Sequence, residues 1–182
     1  MVRKSGNPAR AQQNALTPTV ARGAHELHFD WPAVEISSAS YEAGPTGLTL
    51  FHFPHRVMAV VDVRVGGPGT VNTDMLRLGY AQADVDSIVI TGGSLRGEEA
   101  ITGAATGEKD LGVRSSYDMP VAVGAILFDL QGHRLNDIYP DKPLVLAALK
   151  SLRPGVFPLG AQGSQCQGDP GRPPRKSGEL PW

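Results

Sequence analysis

Only one cysteine, Cys166, stands in the chain of 182 residues. That excludes an internal disulfide framework and any zinc or iron–sulfur cage built from several thiolates, and it suits a reducing compartment. Charge of either sign is not in excess, with 17 Lys and Arg against 18 Asp and Glu. No strong net field therefore draws the chain to nucleic acid or to an anionic membrane. No window reaches the ~18 consecutive apolar residues of a membrane-spanning helix, and Met1 to Ala24 lacks the apolar centre of a signal peptide. The expectation is a cytoplasmic protein with no nucleic-acid and no membrane partner. What is abundant is glycine and proline: 22 Gly and 15 Pro make up about a fifth of the chain, while the 41% of hydrophobic residues suffices for one packed core.

The texture changes twice. Residues 1–25 carry Arg3, Lys4, Arg10 and Arg22 with few large apolar residues, and are expected to form a disordered basic arm. From Glu26 the pattern is that of strands. Leu27, Phe29 and Trp31 alternate with polar residues, Val34 to Ser40 alternates again, and Glu42 to Gly47 has turn chemistry. Leu48–Phe53 and Val57–Val63 read as two strands split by Pro54, and Asp74–Ala83 as a helix. Asp86–Thr91 is an apolar strand run, and Gly92-Gly93-Ser94 then opens a Glu- and Ala-rich helix. Val121–Leu130 reads as a buried central strand and Pro143–Leu152 as a helix with proline in its first turn. Residues 164–182 hold Gly and Pro with almost no aliphatic residues and are expected to stay unstructured.

Candidate chemistry is sparse. His52 and His55 lie three apart, which on a strand points them to opposite faces, so no metal site is assigned. Gly66-Gly67-Pro68-Gly69-Thr70 lacks the Lys-Ser/Thr pair of a nucleotide P-loop. Gly92-Gly93-Ser94-Leu95-Arg96-Gly97, at a strand-to-helix turn, can present backbone amides to an anion or oxyanion, or can simply let strand and chain approach closely. No G-x-S-x-G elbow orders a Ser-His-Asp triad, and Cys166 has no neighbour fixed to lower its pKa.

Several stretches in order resemble the DmpA-type aminopeptidases and their relatives, the nylon-oligomer hydrolases. They are Tyr41-Glu42-x-Gly44-Pro45-Thr46-Gly47-x-Thr49; Asp62-x-Arg64-x-Gly66-Gly67-Pro68-Gly69-Thr70-x-x-Thr73-Asp74; Val89-Ile90-Thr91-Gly92-Gly93-Ser94; Ala125 to Leu130 with Tyr139-Pro140-Asp141-Lys142; and Gly155-x-Phe157-Pro158-x-Gly160. The likeness covers about residues 26–163. It implies an α/β (α+β) chain forming a partial α-β-β-α sandwich of the DmpA/ornithine-acetyltransferase-like type.

Members of the family are self-cleaving precursors in which a freed Ser or Thr uses its own α-amino group as base, attacks an amide carbonyl and forms an acyl-enzyme. Their substrates are peptides with free N-termini or short linear amide oligomers, and no metal or cofactor is required. In the family the nucleophile lies downstream of the Phe-Pro-x-Gly segment, so no catalytic residue is assigned here; Asn72-Thr73 falls in the early glycine-rich signature and Thr73 is not the matching position. Gly92, Gly93, Ser94 and Phe128 are the substrate-pocket candidates.

The chain also departs from the pattern. Phe128 stands where the nylon-oligomer hydrolases carry Tyr, Arg96-Gly97-Glu98 replaces an aromatic-Gly-Leu, and Gly107-Glu108-Lys109-Asp110 falls in a longer family helix. The expected protein is the N-terminal half of such a hydrolase, with an out-of-frame tail and inactive alone; a separately encoded, complementing β-like chain is a further reading, and the partners foreseen are that chain or a homo-oligomer. The alternative is a non-catalytic binding or assembly module on the same scaffold.

Overall fold

The computed structural model describes residues 12–20, 25–64, 69–80, 83–115, 117–129, 137–160 and 163. Its strands are β1 (Thr19–Val20), β2 (His25–His28), β3 (Glu35–Tyr41), β4 (Thr46–Met58), β5 (Thr70–Val71), β6 (Asp84–Thr91), β7 (Ala122–Ile126), β8 (Arg153–Pro154) and β9 (Val156–Leu159). The helices are α1 (Glu98–Asp110) and α2 (Lys142–Leu149). The main sheet runs β1-β3-β4-β6-β7-β5, with β8 on the outer edge of β3, while β2 and β9 form a separate pair. Among the described residues only β6 and β7 pair in parallel, because the α1 crossover joins them.

Period-two alternation sorts the side chains. Ala39 faces Leu48 across β3 and β4, and Leu50 faces Val89 across β4 and β6, so these residues share one face of the sheet. They pack with Ala100, Ile101 and Ala104 of α1 and with Leu144, Val145 and Ala148 of α2 into one core. Gly103 and Gly107 let the two helices meet: a Cβ there would lie 3.3 Å from Lys142 Cα and 2.9 Å from Leu149 Cδ1. A second cluster, with Val34, Ile36, Phe53, Leu76, Val85 and Val123, includes partly buried Phe29 and Phe157.

Four expectations change. Residues 12–20, read as part of a disordered arm, are packed: Gln13 is buried, Leu16 lies against the main core, and Thr19–Val20 pair with Ser40 and Ala39. One long-range amide and one apolar contact are too few to stand out in a polar sequence. The two strands around Pro54 are one strand with an irregular register between His52 and Val57, a bulge that accommodates the proline. Among the described residues of Asp74–Ala83, the expected helix is a 3-10 turn at Thr73–Leu76. The strand expected over 121–130 ends at Ile126, leaving Leu127 and Phe128 exposed. Residues 1–11, 21–24 and 164–182, including Cys166, lie outside the described residues, as do residues 65–68 of the glycine-rich loop.

At the start of β6, Asp86 is fully buried. Its Oδ2 accepts from Arg56 Nε and Nη2 at 3.1 and 2.9 Å and from Val121 N at 2.7 Å, and its Oδ1 accepts from Arg114 Nε at 2.8 Å. Burial pushes the carboxyl pKa up, but the bonds from Arg56, Val121 N and Arg114 outweigh it, and the pKa ends below its ordinary value. A depressed folded-state pKa means that this stabilisation is present above the ordinary aspartate range and is lost as pH falls through the folded value. Asp86→Asn is expected to cost roughly 2–4 kcal/mol at pH 7, the arginines being partly solvated. Urea unfolding at pH 7 and at pH 3 checks both points, the variant losing less stability on acidification than the parent chain.

Candidate functional site

The apolar run of β6 stops at Thr91 because the next two residues must enter a space closed to side chains. A Cβ on Gly92 would overlap the Asp129 carboxylate and stand 2.7 Å from Thr46 Oγ1. Gly93 has φ of 82°, and Ser94 follows at φ of 53°, in the left-handed region that a non-glycine residue rarely adopts. The 3-10 turn Ser94–Gly97 then leads into α1.

Asp129, just past β7, is buried and grips the turn. Its Oδ2 accepts from Thr46 Oγ1 at 2.6 Å and its Oδ1 accepts from Gly93 N at 2.8 Å. Gly92 N donates to Gly47 O at 2.8 Å and Ser94 N donates to Leu127 O at 3.3 Å. All three amides of Gly92-Gly93-Ser94 therefore have acceptors inside the fold, which favours close approach over an anion cradle among the two readings of this turn. The glycines serve close approach. The structure does bring the four pocket candidates together, since Ser94 bonds to the residue before Phe128. Phe128 is 59% exposed and Leu95 67%, so the turn carries an apolar rim on the outside.

A second carboxylate lies on the inner side of the same turn. Asp141 caps α2 by accepting from Leu144 N, and it also accepts from Tyr41 Oη at 2.7 Å and from Gln13 Nε2 at 2.9 Å. Burial, with the hydrogen bond and charge of Asp141, pushes the Tyr41 phenol far above its usual pKa. Tyr139 and Pro140 pack under Gly93, and the Arg96 guanidinium sits 5.6 Å from the Tyr139 ring centroid.

Elsewhere, His52 Nδ1 meets Glu108 Oε1 at 3.1 Å inside the helix-covered core, whereas His55 is exposed on the neighbouring part of the strand. Ser87 lies opposite His52 in register, and its Oγ and Glu108 Oε2 are buried with no protein partner among the described residues. No group of three or more His, Cys, Asp or Glu able to hold a metal occurs among the described residues. The Thr73 hydroxyl donates to Thr70 Oγ1 at 2.9 Å. Sequence reasoning missed Asp129, Asp141, Tyr41 and Gln13 as supports of the turn. The one available signal was a carboxylate closing the most apolar stretch of the chain, at Asp129.

No family model matches the chain. It is 34% identical over 170 residues to the 6-aminohexanoate-oligomer endohydrolase of Kocuria sp. (strain KY2), an alignment covering 92% of this chain and 45% of that protein. Over 96 residues, half of the chain and 28% of the relative, it is 36% identical to an uncharacterized aminopeptidase of Mycobacterium tuberculosis (strain ATCC 25618 / H37Rv). Among solved structures it is similar to a Burkholderia sp. beta-aminopeptidase at a TM-score of 0.54 and 17% identity, covering 79% of this chain and 44% of that one. The chain thus spans less than half the length of the curated relatives it matches over most of its residues. The neighbour bears out the expected α+β class and the partial sandwich.

Asp129→Ala is expected to cost roughly 1–3 kcal/mol, because it leaves Gly93 N and Thr46 Oγ1 without their acceptor in a buried place. Phe128→Ala, at an exposed position, is expected to stay within about 0.5 kcal/mol. Urea denaturation of the two variants measures this contrast.

Proposed function

We propose, from the chain's resemblance to the DmpA-type aminopeptidases and nylon-oligomer hydrolases, that it builds the N-terminal part of a self-processing amide hydrolase. Residues 26–163 form the helix-covered sheet and the wall against which a linear amide lies, and the nucleophile comes from outside them. The observation that carries this reading is the convergence of four family-like stretches, around Thr46, Gly92-Gly93, Asp129 and Tyr139 to Asp141, on one turn. Ser94, held in a left-handed conformation beside exposed Leu127 and Phe128, supports a substrate-facing role, since backbone strain persists where the surroundings enforce it and concentrates at functional sites. The amides of Gly92, Gly93 and Ser94 shape the wall, and the donors that hold a tetrahedral oxyanion come from elsewhere.

The substrates are peptides with free N-termini or short linear amide oligomers, handled without metal or cofactor. A Ser or Thr bearing a free α-amino group attacks the carbonyl and belongs to a β-like chain; a homo-oligomer is the alternative partner. The setting is the cytoplasm. A second reading, a non-catalytic binding or assembly module, draws support from the same spent amides.

The 182-residue chain is assayed alone with an amino-acid p-nitroanilide and with a linear 6-aminohexanoate oligomer. No turnover is expected. Hydrolysis that persists in Thr73→Ala contradicts the placement of the nucleophile outside this region. A cooperative thermal melt of the isolated, inactive chain favours the module, and a chain that precipitates favours the incomplete hydrolase.

A further inference from the structure

Gln13 sits in a helical turn at residues 12–14, 126 positions before the loop that it touches. Its residue is 6% exposed, and its carboxamide makes three bonds. Nε2 donates to Tyr139 O at 2.7 Å and to Asp141 Oδ2 at 2.9 Å, while Oε1 accepts from Tyr139 N at 3.3 Å. An amide that takes both the N–H and the C=O of one residue does what a neighbouring strand does for a sheet edge. The segment it holds, residues 137–140, has no helix or strand of its own.

That segment is the floor of the turn. A Cβ on Gly93 would lie 2.8 Å from Pro140 Cδ and 3.2 Å from Tyr139 Cβ, so the place of Gly93 is set from below by these two residues. Asp129 holds Gly93 from the other side. Residues 12–20 are themselves tied down by Leu16 against the core and by Thr19–Val20 along β3. We propose that Gln13 is a positioning residue for the Gly93-Ser94 turn, and that residues 12–20 are a strap which keeps Tyr139 and Pro140 pressed beneath it. The consequence for substrate rests on the reading of this turn as the amide-facing wall; the positional claim stands apart from it.

Amide hydrogen exchange of the full chain separates a local strap from general stabilisation, with Val89 and Leu50 in the central strands as reporters of global opening. In Gln13→Ala, Gly93 and Ser94 are expected to exchange roughly tenfold faster while Val89 and Leu50 stay within about threefold of the parent. Gln13→Glu keeps the size and one acceptor but loses both donations, and is expected to match Gln13→Ala. Leu16→Ala loosens the strap without touching Tyr139, so it gives the same comparison if Gln13→Ala does not fold; a smaller acceleration at Gly93 is expected. Gly93 exchange that simply follows Val89, or that does not change, overturns the proposal. Selective acceleration at Gly93 with undiminished binding of a linear 6-aminohexanoate dimer upholds the strap and overturns the reading of the turn as substrate-facing.

Discussion

The Asp129 carboxylate is the contact on which the arrangement of the turn depends. It accepts from Gly93 N and from Thr46 Oγ1, and so ties the end of β6 to the start of β4 and to the chain leaving β7. A buried carboxylate costs free energy unless its lone pairs are used, and here two charge-assisted bonds use them. The same atoms leave no space for a side chain at position 92. Strand, turn and carboxylate are therefore one unit: altering any of them leaves a buried polar group unsatisfied or a clash.

This has a chemical consequence. A strand-to-helix turn rich in glycine looks like an anion cradle, because helix N-termini present free amides. In this chain the anion is already supplied by Asp129, and the amides of Gly92 and Ser94 go to Gly47 O and Leu127 O. What the turn offers to the outside is its shape, the strained Ser94, and the exposed Leu95 and Phe128. Such a surface is apolar rather than anion-binding, in keeping with the proposed linear-amide substrate.

The central strands were legible because the period-two alternation at Val34–Ser40 and the apolar run at Asp86–Thr91, which became β3 and β6, depend on neighbours close in sequence. The starts of α1 and α2 were legible for the same reason, Gly92-Gly93-Ser94 opening the one and Pro143 standing in the first turn of the other. The strap was not, since Gln13 acts through three bonds to residues far along the chain and carries no local signature. Val121–Leu130 misled in another way: hydrophobicity indicates burial, yet Leu127 and Phe128 stand in the open. The exposure of these two residues is what the proposed substrate-facing role of the turn rests on.

The central claim is that the Ser94 and Phe128 face of this turn receives a linear amide. Titrating the isotopically labelled chain with the linear 6-aminohexanoate dimer, and following the amides of Ser94, Leu95 and Phe128, tests it most directly. The account predicts saturable shifts concentrated at these residues, with His55 and Thr73 unmoved. Shifts absent from Ser94 and Phe128, or centred on His52 and Glu108 in the core, contradict it.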